Sequence, residues 1–234
     1  MKTIIAVTTL GWFLAALAAG PPNPAVVGPT ATLAIQSGFD PEAYRLEAIR
    51  TGFKEIQALY ADFKINETQR RMQQLESEQP SVLQEPIYQK LKRDMGVIHR
   101  EAGNLKGVQW LQGKTELDVS PLTLVVFWES WCPHCQDSMP LIQKMFRKYH
   151  VKGLNVIGLT KITKPANMTT VIQFIAENEI EFSIGKDPGR VSEHFGVSGV
   201  PAAAIVKEGV IIWRGNPDWI TEQTVLAALQ APTK

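Results

Sequence analysis

The residues best suited to chemistry are two cysteines, Cys132 and Cys135, which Pro133 and His134 separate. They are the only cysteines among the 234 residues, so any disulfide within one chain must join them. Thiol–disulfide exchange requires an attacking thiolate and a second sulfur within reach. The spacing therefore indicates a redox-active dithiol.

The pattern on either side of the dithiol predicts a strand followed by a helix. Residues 122–128 are almost all aliphatic or aromatic, which is typical of a central strand buried on both faces. In residues 133–149 the apolar side chains recur on one helical face. A helix N-terminus offers unpaired N–H groups and the positive end of the dipole, which would favour a thiolate at Cys132. Pro133 suits the first turn, where its missing N–H costs nothing.

These features resemble the thioredoxin superfamily. The resemblance rests on residues 131–135, Trp-Cys-Pro-His-Cys, and on the later Gly-Val-Pro of residues 199–201, and it covers about residues 107–230. It implies an α/β thioredoxin-like fold, a central mixed sheet flanked by helices. It also implies that Cys132 is the attacking thiolate, that Cys135 is the resolving thiol, and that Pro201, preceded by Val200, is a cis-proline packed against them.

Two features point to different branches of that superfamily. The Pro133-His134 dipeptide resembles the strongly oxidising DsbA-type proteins, whereas Pro140 and the strand order look like the exported TlpA/ResA-type thioredoxins. The chain also lacks both acids that these families place near the resolving thiol, since Val126 and Ser138 occupy their positions. We interpret this as unfavourable for a reductant.

Other residues near the motif have a functional and a structural interpretation. We expect Trp131 to lie in the exposed surface beside the dithiol and Trp128 to be a core residue. His134 could supply a positive charge or an N–H donor near Cys132, or could be a solvent-exposed helix residue. Glu129, at a strand end, is expected to be solvated rather than catalytic, although it or Asp137 could substitute for the missing acids.

The sequence predicts no metal and no cofactor apart from the Cys132–Cys135 disulfide itself. A Cys-x-x-Cys pair can form half of a zinc site, but tetrahedral zinc needs two further ligands. The four histidines are scattered at positions 99, 134, 150 and 194. A formal net charge of +1 also gives no electrostatic reason to expect nucleic acid as a partner.

The first 38 residues predict export. Lys2 precedes an apolar stretch over residues 4–19 that ends in a small-x-small pattern, so residues 1–19 are interpreted as a signal peptide or a membrane anchor. Residues 20–38 contain four prolines and no periodicity, as in a tether. We therefore expect a periplasmic or otherwise extracytoplasmic protein, with an inner-membrane tether if the anchor is retained. Such compartments are oxidising.

Residues 39–106 are predicted to be a helical segment. A helix start at residues 40–42 leads into apolar residues at heptad-like spacing, namely Leu46, Ile49, Phe53, Ile56, Tyr60 and Phe63. After Pro80 and Pro86, a second amphipathic run over residues 87–105 predicts another helix, which Gly103 and Gly107 close. The two helices could pack on each other or on the following domain, or could form an oligomerisation module.

Residues 107–231 are predicted to form the thioredoxin-like domain. The pattern predicts an opening hairpin at 108–114, a buried strand at 154–159 and a helix at 168–178 whose inward residues include Ile172. The span 160–182 is long enough for the extra strand and helix of TlpA-like proteins. A short helix at 191–195, a hairpin of strands 202–206 and 210–213, and a closing helix at 218–230 complete it.

The sequence thus predicts an exported thiol:disulfide oxidoreductase that exchanges disulfides with protein substrates through Cys132 and Cys135. A membrane or periplasmic redox partner would recycle the dithiol. The direction is open between oxidase, reductase and, if residues 39–106 form a homo-oligomer, isomerase. Two alternatives are a peroxide-reducing enzyme of related fold and a non-catalytic binding module of the cell envelope.

Overall fold

The computed structural model describes residues 40–231. Its helices are α1 (Pro41–Ala61), α2 (Ile65–Glu78), α3 (Pro86–Met95), α4 (Pro133–Tyr149), α5 (Met168–Glu177), α6 (Arg190–His194) and α7 (Glu222–Gln230). Its strands are β1 (Gln109–Gln112), β2 (Leu122–Phe127), β3 (Leu154–Thr160), β4 (Ser183–Lys186), β5 (Ala202–Lys207) and β6 (Val210–Gly215). Short 3₁₀ turns lie at Pro80–Gln84, His150–Lys152 and Pro217–Trp219.

The strands form one mixed sheet of six, in the order β1-β4-β3-β2-β5-β6. The pairs β2–β3 and β3–β4 are parallel, and the other three are antiparallel. All residues of β2 and β3 are buried, as the continuous apolar run of β2 predicts for a central strand. The predicted fold class, a mixed sheet flanked by helices and preceded by a helical segment, is therefore confirmed.

Alternate residues of the central strands supply two hydrophobic clusters, one on each face of the sheet. Leu124 and Val126 belong to one cluster, and Val125 and Phe127 belong to the other. The first cluster includes apolar residues of α1, α2 and α3 as well as of α4 and α5. The helices before the sheet therefore share its core.

Most of the described chain forms a single compact unit, which begins at Arg45. Residues up to Tyr44 belong to a different unit, of which only residues 40–44, at the start of α1, are described. The Asp40 carboxylate accepts the N–H groups of Glu42 and Ala43 at 2.9 and 3.3 Å. This confirms the predicted helix start, because such bonds satisfy N–H groups that the helix leaves free.

The helical segment packs against β6 through a buried network. The Tyr60 ring stacks on Trp213, with ring centroids 5.4 Å apart, and its hydroxyl donates to the carbonyl of Arg214. The Arg214 guanidinium lies 3.6 Å from the Asp94 carboxylate, and both side chains are almost completely buried. Of the two predicted roles of this segment, packing on the following domain is observed, and oligomerisation stays a prediction.

The outer edge of β6 is covered by the chain that follows α3. His99 N–H donates to the Ile211 carbonyl at 2.8 Å, Ile211 N–H donates to Arg100 at 2.9 Å, and Ala102 N–H donates to Gly209 at 2.7 Å. These bonds satisfy backbone groups that an edge strand would otherwise expose.

Several predicted elements are wrong in the helical segment. The second amphipathic run is helical only over Pro86–Met95, since the later residues of this run pair with β6 instead. A helix that was not predicted, α2, lies between the two that were. It packs closely on α1, because a Cβ added to Gly52 would lie 2.7 Å from Leu75 Cδ1. In the predicted seam, Leu46 is largely exposed and Phe63 lies beyond the end of α1.

Three predictions in the second part of the chain also need correction. The opening hairpin does not form, because β1 pairs with β4, far away in sequence. Ile172 faces outward and is 52% exposed, although Val171 and Ile175 are buried as predicted. The closing helix begins at Glu222, after a 3₁₀ turn at Pro217–Trp219.

The predicted export signal and tether lie outside the described residues. Among residues 40–231, no helix combines the length and the apolar character that crossing a bilayer requires.

Candidate active site

The two cysteines lie where β2 leads into α4. Cys132 is the N-cap residue of α4 and Pro133 occupies its first turn, as the sequence predicts. Cys132 N–H donates to the Glu129 carbonyl at 3.1 Å, and Gln136 N–H donates to the Cys132 carbonyl at 3.0 Å. Both cysteines are free thiols and both are buried, Cys132 with 5% exposure and Cys135 with none. The sulfur at the helix start is therefore the more accessible of the two.

The environment of Cys135 favours its protonated form. Burial raises the pKa of the Cys135 thiol far above its ordinary value, and a hydrogen bond to the Cys132 side chain raises it further. A backbone hydrogen bond from Glu129 acts in the opposite direction but is weaker. Cys135 is therefore a thiol at neutral pH in this reduced form.

The structure brings the predicted loop at Val200 and Pro201 next to Cys132. The Cys132 sulfur lies 3.9 Å from the Val200 carbonyl oxygen, and the Val200–Pro201 peptide bond is cis. Pro133 and His134 are exposed on the first turn of α4. Of the predicted site residues that are distant in sequence, the structure thus brings Val200 into contact with Cys132.

The two tryptophans next to the motif have different environments. Trp131 is 42% exposed beside Cys132, and its indole N–H donates to the Thr163 hydroxyl at 3.1 Å. Trp128 is fully buried and packs against Phe174, with ring centroids 5.1 Å apart. Both placements agree with the predictions.

The prediction that Glu129 is solvated is wrong. Its side chain is 4% exposed. The carboxylate accepts hydrogen bonds from Thr160 Oγ1 at 3.3 Å, from Lys161 N–H at 3.2 Å and from Thr163 N–H at 3.2 Å. It is therefore buried and paired with the loop that follows β3.

At the position of the second missing acid, the chain provides a serine that contacts an acid from elsewhere. Ser138 Oγ lies 2.7 Å from the His134 carbonyl and 2.5 Å from Asp218 Oδ1. Asp137, which was one predicted substitute, is exposed on α4. Sequence analysis missed Asp218 because it lies 80 residues after Ser138 and in no recognisable motif.

Two clefts flank the dithiol, and Trp131 lines both. One, of about 350 Å³, is lined on the loop side by Glu129, Lys161 and Thr163 and on the other side by residues 197–200. The second, of about 390 Å³, lies between Trp131, residues 165–166 and α5. Among residues 40–231, no group of three or more His, Cys, Asp or Glu side chains is arranged to bind a metal ion.

Comparison with known proteins places this site in context. The family model described as the AhpC/TSA family matches residues 114–214. A thiol-disulfide oxidoreductase ResA of Bacillus thuringiensis is 28% identical over 101 residues, which are 42% of this chain and 56% of the relative. A sporulation thiol-disulfide oxidoreductase A of Bacillus subtilis is 24% identical over 87 residues, which are 37% of this chain and 53% of the relative.

A solved structure supports the fold assignment. A solution structure described as a thioredoxin-like protein in the oxidized form aligns with a TM-score of 0.50 and 22% sequence identity. The alignment covers 56% of this chain and 95% of that one. The second part of the chain therefore has a thioredoxin-like fold. Both of these curated relatives are named thiol-disulfide oxidoreductases, and the chain spans little more than half of their length.

Proposed function

We propose that this chain is an exported thiol:disulfide oxidoreductase that acts on protein substrates through Cys132 and Cys135. The observation that carries the proposal is that the two thiols differ in position and in exposure to solvent. Cys132 lies at the start of α4 beside the exposed Trp131, whereas Cys135 is completely buried. One sulfur is thus placed to meet a substrate, and the other is placed to react only with the first.

The thiol–disulfide exchange takes place in two steps. In the reducing direction, the Cys132 thiolate attacks a substrate disulfide, forms a mixed disulfide and releases one substrate sulfur, which takes up a proton. Cys135 then attacks the Cys132 sulfur and closes the intramolecular disulfide, and its proton is taken up by the second substrate sulfur, which leaves as a thiol. The oxidising direction is the reverse.

The direction of use is a separate part of the proposal. Pro133-His134 favours an oxidase, and the absence of an acid at Val126 and Ser138 also counts against a reductant. The TlpA/ResA-like layout favours a reductase. The reduction potential of the dithiol decides between them: a value of roughly −120 mV indicates an oxidase, and one of roughly −270 mV or below indicates a reductase.

Trapping the intermediate tests the proposed chemistry. We expect Cys135→Ser to accumulate a mixed disulfide between Cys132 and a protein substrate, because the resolving thiol is missing. Cys132→Ser should form none, because Cys135 is buried. Mass spectrometry after incubation with insulin would detect the adduct. Equal trapping by both variants would contradict the assigned roles.

The two alternatives predict different results. A peroxide-reducing enzyme would consume hydrogen peroxide without an added protein thiol, which the proposed oxidoreductase should not do at a comparable rate. A non-catalytic binding module would keep its function in the cell when Cys132 is changed to serine. We expect that substitution to give the same cellular phenotype as loss of the protein.

Localisation and partners are further parts of the proposal. Residues 1–19 would direct export to the periplasm or another extracytoplasmic space, either as a cleaved signal or as an inner-membrane anchor. N-terminal sequencing of the exported protein distinguishes the two. A membrane or periplasmic redox partner would recycle the dithiol. If residues 39–106 also mediate homo-oligomerisation, light scattering of the full chain should give more than the monomer mass.

A further inference from the structure

The buried carboxylate of Glu129 has no role in the exchange steps described above. A carboxylate removed from water needs hydrogen-bond donors to offset the loss of solvation. Glu129 obtains all of its observed donors from one loop, residues 160–163. It therefore ties this loop to the segment that carries the dithiol.

The same loop holds the exposed tryptophan. Thr163 donates its backbone N–H to Glu129 Oε2 at 3.2 Å, and its hydroxyl accepts the indole N–H of Trp131 at 3.1 Å. Glu129 and Trp131 lie on either side of Ser130, so two side chains of one segment bind one threonine. The orientation of the indole thus depends on where Glu129 holds Thr163.

The Trp131 indole lines both clefts. Trp131 directly precedes Cys132 and is 42% exposed, so we expect a protein segment that delivers a sulfur to Cys132 to contact this ring. Aromatic rings contribute large contact areas in protein interfaces and have few torsions to immobilise. A fixed indole should therefore assist protein substrates, and a small disulfide should gain little from it.

We propose that Glu129 is a positioning residue which, through Thr163, fixes the indole of Trp131 as a contact surface for protein substrates. The proposal rests on the proposed function and adds a specificity element to it. It predicts that disturbing Glu129 or Thr163 weakens the binding of protein substrates more than it weakens the reaction of Cys132 with small disulfides.

Thr163→Val tests the link to the indole because it keeps the side-chain volume and removes the hydroxyl. We expect a shifted and less protected indole N–H resonance for Trp131, assigned with Trp131→Phe. KM for insulin should rise about fivefold, the ratio that corresponds to about 1 kcal/mol for one hydrogen bond. The KM for a small aromatic disulfide should rise less than the KM for insulin. Thr163→Ser should restore both properties.

Glu129→Gln tests the step from the carboxylate to Thr163. The amide replaces one acceptor oxygen by a donor, so at least one bond to the loop must be lost in either orientation. We expect the Trp131 resonance to shift although neither Trp131 nor Thr163 is changed. Thr169→Val is the matched control: this exposed threonine lies on α5. It should leave the resonance and KM as in wild type.

The outcomes separate this inference from the proposed function. An unchanged Trp131 resonance in Glu129→Gln or in Thr163→Val would overturn the positioning role. A shifted resonance with unchanged KM for insulin would overturn the specificity role. If the wild-type chain exchanged disulfides with neither insulin nor a small disulfide, the proposed function would fail together with the specificity role. The resonance would still decide the positioning role.

Discussion

Replacement of Asp94 by asparagine should destabilise the fold strongly, because Asp94 is the acidic partner of a fully buried arginine. The exposed fractions are 2% for Asp94 and 1% for Arg214, and their nearest charged atoms are 3.6 Å apart. Burial lowers the pKa of the Arg214 guanidinium, and the charge of Asp94 acts in the opposite direction. Without Asp94, a buried cation would have no counter-charge.

The magnitude follows from what remains around the guanidinium. Removing one partner of a buried ion pair costs about 3–5 kcal/mol. Arg214 keeps hydrogen bonds to the carbonyls of Phe195, Ala203 and Gly215, at 3.0, 3.4 and 3.1 Å. Lys90, the second partner of Asp94, is 39% exposed and can be solvated. Because of these contacts, we expect the loss of unfolding free energy to lie at the lower end of that range, at about 3 kcal/mol.

Thermal and denaturant unfolding measure this loss. For a chain of this size, 3 kcal/mol corresponds to a decrease of roughly 6–12 °C in Tm. Trp213, which stacks on Tyr60 at the junction of the helical segment and the sheet, reports the transition by fluorescence. We expect one cooperative transition, because the helices and the sheet share a core.

A surface variant provides the control. Asp62 pairs with Lys64 at 3.5 Å, with side chains 58% and 48% exposed, so Asp62→Asn should change the stability by less than about 0.5 kcal/mol. The reasoning would be refuted if Asp94→Asn were as stable as Asp62→Asn. Two separate transitions in the wild-type chain would refute the shared core.

Three further predictions concern single side chains. In Cys132→Ser, alkylation of Cys135 should be slow at neutral pH and accelerate only under alkaline conditions, because burial raises the pKa of its thiol. Lys207→Met should cost about 2 kcal/mol of unfolding free energy, since the buried ammonium donates to three carbonyls at the end of α7. Gly158→Ala should cost about 1–3 kcal/mol, because the added Cβ would lie 2.4 Å from Ile184 Cδ1.

Matched measurements decide each of these predictions. Iodoacetamide kinetics over a pH series would contradict the first if Cys135 reacted at neutral pH as fast as a free cysteine. Denaturant melts would contradict the second if Lys207→Met matched wild type. Gly199→Ala is the stability control for the third, since no atom outside the neighbouring residues lies within 4 Å of its added Cβ. Equal stability of the two alanine variants would contradict the steric argument.

The placement of the dithiol could be predicted because its determinants are local. A continuous apolar run produces the buried β2, and Pro133 fits the first turn of the helix that follows. The position of Cys132 at the helix start follows from these two patterns alone. The thioredoxin-like sheet was predicted from the resemblance of residues 131–135 and 199–201 to that superfamily.

The burial of Glu129 could not be predicted, because it depends on residues more than 30 positions later. Its donors are two backbone N–H groups and one hydroxyl. Every residue except proline has a backbone N–H group, so the sequence does not reveal which of them will donate. The predicted helix over residues 87–105 failed for a similar reason. From His99 to Ala102 the backbone forms hydrogen bonds with β6 and its turn instead of helical ones. A helical pattern of apolar side chains does not show which of these two sets of backbone hydrogen bonds will form.

The contact between Tyr60 and Trp213 determines how the protein can be divided. A fragment that starts at residue 107 would uncover one face of Trp213, deprive Arg214 of its counter-charge and expose the outer edge of β6. Self-association of such a fragment would then result from the surface that the truncation exposes. The smallest piece that can fold as the whole does should therefore include the three helices before the sheet.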